Sequence, residues 1–302
     1  MSGCIPSIAA RPIEVTVAFN QKPYDLFELQ TGQVRLIGLK TEARIDPARP
    51  DERRKSSLVE AAMILGPIVA SRVTAAGITV YYRPARADIA VRWLAGAATD
   101  PTASLCYPYA RMELPGTETA PPDEDWNPDP EFCTSLDRDE EHLRTAAHEA
   151  LRRLGWRGGV AYDPACSTGT FLSSLKSVFP ATRTIGQDRN AGMVSLARAR
   201  LDEVHAGDSM RPAVARHSVD LLVLRHLNVA VTTAAEAAAL FRAASDRLRP
   251  GGHCLVFGHT PVQLPSAFFE MQGYRVLSQL AATPSGHALF EFYVLAKPWE
   301  TR

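Results

Sequence analysis

From Trp156 onward, short apolar or β-branched runs alternate with helical stretches, and this alternation constrains the fold more than any other feature of the chain. Val160–Tyr162 reads as a strand and Thr170–Val178 as a helix. Arg183–Gln187 reads as a strand, Ala191–Glu203 as a helix rich in Ala, Leu and Arg, and Val204–Gly207 as a brief strand. Val219–Leu224 is almost continuously apolar, as expected of a strand covered on both faces. Thr233–Leu248 is an Ala-rich helix with Thr232 or Thr233 as its N-cap, stopped at Arg249-Pro250-Gly251-Gly252 before the strand His253–Gly258. Such alternation implies βαβ units and a mostly parallel sheet. Tyr274–Leu280 and His287–Ala296, joined by Thr283-Pro284-Ser285-Gly286, read as an antiparallel pair closing one edge.

The first half follows a different pattern. Val15–Phe19, Val34–Leu39 and Ile78–Tyr82 read as strands, Leu58–Thr74 as a helix kinked at Gly66-Pro67, and Ile89–Ala95 fits either state. Glu113–Pro130 is rich in Pro and acidic residues and reads as a linker, followed by an amphipathic helix over Asp137–Leu154. The expected organisation is an N-terminal α+β region over 1–130 that supplies acceptor binding and linker, then a second domain over 131–302. No internal repeat is present.

The loop Asp163-Pro164-Ala165-Cys166-Ser167-Thr168-Gly169-Thr170 joins a strand to a helix N-terminus through small residues, so a backbone can approach a ligand closely. A second acid, in Gln187-Asp188-Arg189-Asn190, ends the next strand; a carboxylate there can accept both hydroxyls of a ribose. A third, in Gly207-Asp208-Ser209-Met210, follows the third strand. With the Arg249–Gly252 turn, these four segments resemble, in order and spacing, the class I S-adenosylmethionine (SAM)-dependent transferases over about residues 138–298. The resemblance implies a seven-stranded Rossmann-like α/β sheet with a mixed α+β region on the substrate side. It implies SAM as co-substrate, held by Asp163, Ala165, Ser167, Gly169, Asp188, Arg189, Asp208 and Ser209, with the Asp208 carboxylate on the adenine amine. A G-x-G-x-x-G dinucleotide loop and a G-K-[ST] phosphate loop are both absent. The Asn/Asp-Pro-Pro-aromatic motif of adenine-N6 nucleic-acid methyltransferases is also absent, that place reading Leu224-Arg225-His226-Leu227-Asn228.

Lys+Arg and Asp+Glu are both 33, so the formal net charge is zero and argues against a nucleic-acid partner. Cys4, Cys106, Cys133, Cys166 and Cys254 form no C-x-x-C pair and read as reduced thiols rather than zinc ligands or disulfides. Met1–Ala10 lacks the pattern of a signal peptide, and no run approaches the roughly 20 apolar residues of a membrane span. The expectation is a cytoplasmic protein without metal or membrane partner.

Any of the three S–C bonds of a sulfonium can be broken by an in-line nucleophile, so the protein's task is positioning. Ala165 and Ser167 stand where the family usually has glycine, and their side chains could turn the aminocarboxypropyl arm of SAM. Arg225 could clamp a carboxylate or pair with Asp188 or Glu236. His226 is the candidate base and Asn228 a candidate hydrogen-bonding residue, while His142 and His148 read as surface residues and His259 as a weaker candidate. The aromatics Tyr24, Phe27, Tyr81, Tyr82, Trp93, Tyr107 and Tyr109 suit a planar acceptor or a core. The chain is similar to the 3-amino-3-carboxypropyltransferases of antibiotic biosynthesis. That resemblance implies transfer of this group to a phenolic oxygen of a small molecule, with release of methylthioadenosine. The alternatives are an O- or N-methyltransferase and a non-catalytic SAM-fold binding module.

Overall fold

Two β-sheets make up the described structure. The structure is a computed structural model and describes residues 12–18, 26–40, 56–74, 77–107 and 129–299. The Glu113–Pro130 linker therefore lies almost wholly outside the described residues, as do Tyr24 and Tyr109. The first sheet is built from β1 (Ile13–Ala18), β2 (Leu26–Thr31), β3 (Val34–Leu39), β5 (Ile64–Thr74), β6 (Gly77–Tyr82) and β7 (Ser104–Cys106). Its order is β1-β6-β5-β3-β2-β7, with antiparallel pairing throughout. Helix α1 (Ala87–Thr99), the ambiguous segment, packs Leu94 and Ala97 into a core with Phe27, Leu29 and Leu105.

The helix expected over Leu58–Thr74 is instead a short strand β4 (Val59–Glu60), a 3-10 turn and the strand β5. Ala61, Ala62 and Met63 favour helix, but Ile64, Ile68, Val69, Val73 and Thr74 are β-branched, and sheet pairing decides the matter. Gly66 and Pro67 mark the place where β5 leaves β3 for β6 rather than a helix kink. Gly66 has φ 149°, and a Cβ there would lie 1.9 Å from the Arg83 carbonyl oxygen, so only glycine fits this close approach.

The second sheet contains β8 (Gly158–Asp163), β9 (Ala181–Asp188), β10 (Glu203–Ala206), β11 (Val219–Leu224), β12 (Leu248–Phe257), β13 (Arg275–Ala282) and β14 (Ala288–Ala296). Its order is β10-β9-β8-β11-β12-β14-β13, with β14 antiparallel to both neighbours. These seven strands are the Rossmann-like set expected, and β4 adds to β14 as an eighth through Val59–Leu289. The Arg249–Gly252 turn lies inside β12, where the pairing with β11 shifts register. The helices are α2 (Pro130–Asp139), α3 (Glu141–Arg153), α4 (Thr170–Val178), α5 (Ala191–Arg198), α6 (Ala234–Ser245) and α7 (Ser266–Met271). The single helix expected over Asp137–Leu154 is broken at Glu140 into α2 and α3.

Side chains alternate across the sheet as strand geometry requires. Tyr162, Leu222, Leu224 and Val256 face α6 and α7, with Phe241 and Phe269. Ala161, Leu221, Val223 and Leu255 face α3 and α4, with Leu143, Leu151, Phe171 and Leu175. Because both faces are covered, the strands can be continuously apolar. Strand order reverses between β8 and β11, which are in register only at Leu221–Ala161 and Leu222–Tyr162. The crevice beyond the carboxyl ends of such a pair is where open α/β sheets bind ligands.

Candidate active site

Asp163 is the last residue of β8 and is fully buried. Its Oδ1 accepts the Ala165 N–H at 2.9 Å, which turns the chain into the small-residue loop. The loop is then held to β9: Cys166 N–H donates to the Gln187 carbonyl at 2.8 Å and Ser167 N–H to Asp188 Oδ2 at 2.8 Å. Ser167 has φ 51° and Gly169 φ 80°, so the chain passes twice through the left-handed region before α4 begins. A serine pays roughly 1–2 kcal/mol for that conformation, where glycine pays nothing. Gly186 permits the close approach of loop to strand, since a Cβ there would meet Cys166 Sγ at 2.7 Å. From outside the loop, Asp137 of α2 accepts the hydroxyls of Thr168 at 3.2 Å and Thr170 at 2.9 Å.

Asp188 is half-buried and also accepts the Asn190 N–H at 2.9 Å, while Asn190 caps α5 by accepting from Gly192 and Met193. A carboxylate has about four lone-pair directions, so two remain for hydroxyl donors. Asp208 is exposed, and its carboxylate accepts the Met210 N–H at 2.9 Å. Ser209 donates to the Pro164 carbonyl at 2.7 Å, which closes the second acidic loop against the first. The residue that positions this loop was not evident from sequence. Gln187 is buried; its Nε2 donates to the carbonyls of Asp208 at 2.8 Å and Arg211 at 3.2 Å, and its Oε1 accepts from Tyr162 Oη at 2.5 Å and Ala213 N at 2.8 Å. The only sequence signal for it is a polar residue at an inward strand position.

Arg225, directly after β11, pairs with neither Asp188 nor Glu236. Its Nε donates to Asp163 Oδ2 at 3.0 Å, Nη1 to Glu140 Oε2 at 2.6 Å and Nη2 to the Ala165 carbonyl at 3.3 Å. The guanidinium carbon lies 5.7 Å from the centroid of Phe171. Glu236 instead completes a capping box with Thr233 at the start of α6. Burial pushes the Asp163 carboxyl up to about 6, while its ion pair with Arg225 favours the charged form. The two carboxylates raise the already high pKa of Arg225 further, although burial opposes them.

His226 is 8% exposed, and neither ring nitrogen meets a hydrogen-bond partner among the described residues. Burial lowers its pKa to about 4, and the positive charges of Arg225 and Arg189 lower it as well. The imidazole is therefore neutral through the physiological range and can accept a proton or a hydrogen bond. Arg189 is itself exposed. Asn228 is occupied by the loops: Nδ2 donates to the Arg225 carbonyl at 2.8 Å, and Oδ1 accepts from Thr260 Oγ1 at 2.7 Å and Ala230 N at 3.1 Å.

Two of the histidines are placed otherwise than the sequence suggests. His142 packs edge-on to Phe290 with centroids 4.8 Å apart, and its pKa falls to about 4, chiefly through burial and then through His259. His148 is half-buried and lies 3.1 Å from Ser174 Oγ. Helical periodicity put both on an outer face because the break at Glu140 and the sheet end at Phe290 are not visible in that pattern.

The N-terminal region reaches the site through residues 56–58. Ser57 N–H donates to the His259 carbonyl at 2.9 Å and Ser57 Oγ to the Gly258 carbonyl at 3.1 Å. Tyr107 Oη donates to the Ser57 carbonyl at 2.8 Å, and Lys40 Nζ donates to the carbonyls of Ser56 and Leu58. Of the aromatics in this half, Phe27, Tyr82 and Tyr107 are buried, and Tyr107 is the one whose hydroxyl holds the strap. A cavity of about 500 Å³ bounded by Ala98–Asp100, Arg153 and Leu277–Leu280 shares no residue with this site. Among the described residues no group of three or more His, Cys, Asp or Glu could hold a metal, and no helix is long and apolar enough to cross a membrane.

The chain is similar to several known proteins. The methyltransferase domain family matches residues 161–252. Isonocardicin synthase from Nocardia uniformis subsp. tsuyamanensis is 47% identical over 280 residues, covering 91% of this chain and 92% of that protein. Among solved structures, an amino pentose methyltransferase of calicheamicin biosynthesis from Micromonospora echinaspora, with SAM bound, is 17% identical, with TM-score 0.44 over 55% of this chain and 96% of that one. DesVI from Streptomyces venezuelae is 18% identical, with TM-score 0.42 over 60% of this chain and 100% of that one.

Proposed function

The chain belongs to the isonocardicin synthase family of class I SAM-dependent transferases, and on that premise we propose that it transfers the 3-amino-3-carboxypropyl group of SAM to a phenolic oxygen of a small antibiotic-type molecule. The ribose hydroxyls are received by Asp188 and the adenine by the Asp208–Ser209 loop, while the Asp163–Gly169 loop covers the methionine end. The phenolic oxygen attacks the arm carbon bonded to sulfur, in line with the C–S bond. That bond breaks, its electron pair returns to sulfur, and the sulfonium becomes the neutral thioether methylthioadenosine. The phenol proton passes to a ring nitrogen of His226.

The observation that carries the site reading is His226: a buried imidazole with both nitrogens unpartnered, at the carboxyl end of β11 and next to Arg225. An unpaired buried polar group costs about 1–3 kcal/mol, and a bound acceptor offers the missing partner. A base of pKa about 4 does not ionise a free phenol, whose pKa is near 10. It takes the proton as the C–O bond forms, when the oxygen becomes far more acidic. The strap at Ser57 supports acceptor binding by the N-terminal region, over residues 1–130, since it is fastened to the end of β12 beside the crevice.

The match to the methyltransferase domain family favours methyl transfer as the second reading. SAM labelled separately in the arm carboxyl and in the methyl group distinguishes the two when incubated with a panel of phenols. Arm label in the acceptor is the expected outcome, and methyl label alone would replace it with methyl transfer.

A further inference from the structure

We propose that Glu140 binds the α-ammonium group of SAM, and so holds the group to be transferred; this rests on the SAM reading above. Glu140 is the one residue between α2 and α3, with φ −89° and ψ 2°. Its carbonyl opens α3 by accepting from Leu143 and Arg144, both at 3.1 Å, while Arg144 Nη2 donates to the Asp137 carbonyl at 2.6 Å. Asp137 in turn holds Thr168 and Thr170. The corner is thus fixed over the loop at the methionine end of the site.

Glu140 has one committed oxygen, Oε2 on Arg225 Nη1 at 2.6 Å; Oε1 has no hydrogen-bond partner among the described residues and is not sealed from solvent. The local charge supports a cationic ligand. Glu140 and Asp163 share the one guanidinium of Arg225, with Asp188 near enough to raise the pKa of Asp163. The cluster is nearly dry, with side chains 9% exposed for Arg225, 12% for Glu140 and 0% for Asp163. A carboxylate oxygen left open in such surroundings attracts an ammonium strongly. Next to Arg225, the buried and unpartnered ring of His226 independently marks this end of β11 as a place that receives a ligand. Ordered in this way, the α-ammonium end of the arm is anchored beside the residues on which the acceptor docks.

The test compares binding of three ligands by calorimetry to the wild type and Glu140→Gln. SAM has the arm and the sulfonium, S-adenosylhomocysteine has the arm only, and methylthioadenosine has neither. The amide keeps an oxygen for Arg225. The expected result is a loss of about ten- to a hundredfold for SAM and S-adenosylhomocysteine, with methylthioadenosine changed less than about twofold. Equal loss for all three, loss for SAM alone, or no loss would overturn the assignment. If the wild type binds none of the three, the SAM reading itself has failed. Should Glu140→Gln unfold, Glu140→Asp keeps the charge but shortens its reach. It is expected to weaken the two arm-bearing ligands and spare methylthioadenosine, and uniform behaviour would overturn the proposal.

Discussion

Ser57 and His259 are joined backbone to backbone at 2.9 Å, although 202 positions separate them in the chain. This bond fastens a strap from the N-terminal sheet to the end of β12, and Tyr107 holds the strap from behind. The N-terminal region and the second sheet are therefore one hydrogen-bonded unit at the crevice.

Tyr107→Phe removes the hydroxyl and leaves the buried Ser57 carbonyl without that partner. Denaturant unfolding should show a loss of about 1–2 kcal/mol. The KM for the acceptor should rise while the affinity for SAM stays unchanged, because among the described residues no hydrogen bond joins the strap to the loops at Asp163, Asp188 and Asp208. An equal effect on both substrates would contradict the division of labour.

Asp188→Ala removes the acceptor for two backbone N–H groups and the proposed acceptor for ribose. SAM affinity measured by calorimetry should fall at least about tenfold, equivalent to 1.4 kcal/mol. Methylthioadenosine should lose affinity by a similar factor, since it keeps the ribose. Unchanged binding of both would remove Asp188 from the cofactor site.

The pH dependence follows from His226. Its pKa is about 4 in the folded protein against an ordinary 6.5, so the unfolded chain binds the proton first as pH falls. Stability from this group is complete above about pH 7, declines as pH falls toward 4, and is constant below; the loss is at most about 3 kcal/mol. His142 acts in the same direction. Asp163, raised to about 6, acts oppositely, because its folded form holds the proton longer. Urea titrations from about pH 7 to 4.5 should show acid destabilisation that is shallower in His226→Gln. The same neutral ring predicts no limb near 6.5 in the rate profile; a His226 limb at that pH would contradict its burial.

The parts of the site built from short, ordered sequence intervals were legible. Asp163, Asp188 and Asp208 each end or follow a strand whose apolar run announces it, and each holds the turn that follows it through a backbone N–H. The partners of Arg225 were not legible. Glu140 lies 85 residues away, within a stretch whose amphipathic period continues through the helix break, and nothing in a one-dimensional pattern shows a corner there. Gln187 was hidden for a similar reason, since its four partners come from two segments, the strand β8 and the loop after β10. β5 was misread because Ala61–Met63 carry helix propensity into a segment whose pairing with β3 and β6 overrides it.

The central claim is that the arm of SAM, and not its methyl group, leaves the sulfur. Mass spectrometry of the adenosine-containing by-product, with and without phenolic acceptors, tests it most directly. Methylthioadenosine formed in proportion to alkylated acceptor, and only when acceptor is present, is the predicted result. S-adenosylhomocysteine in that place would contradict it and make this chain a methyltransferase.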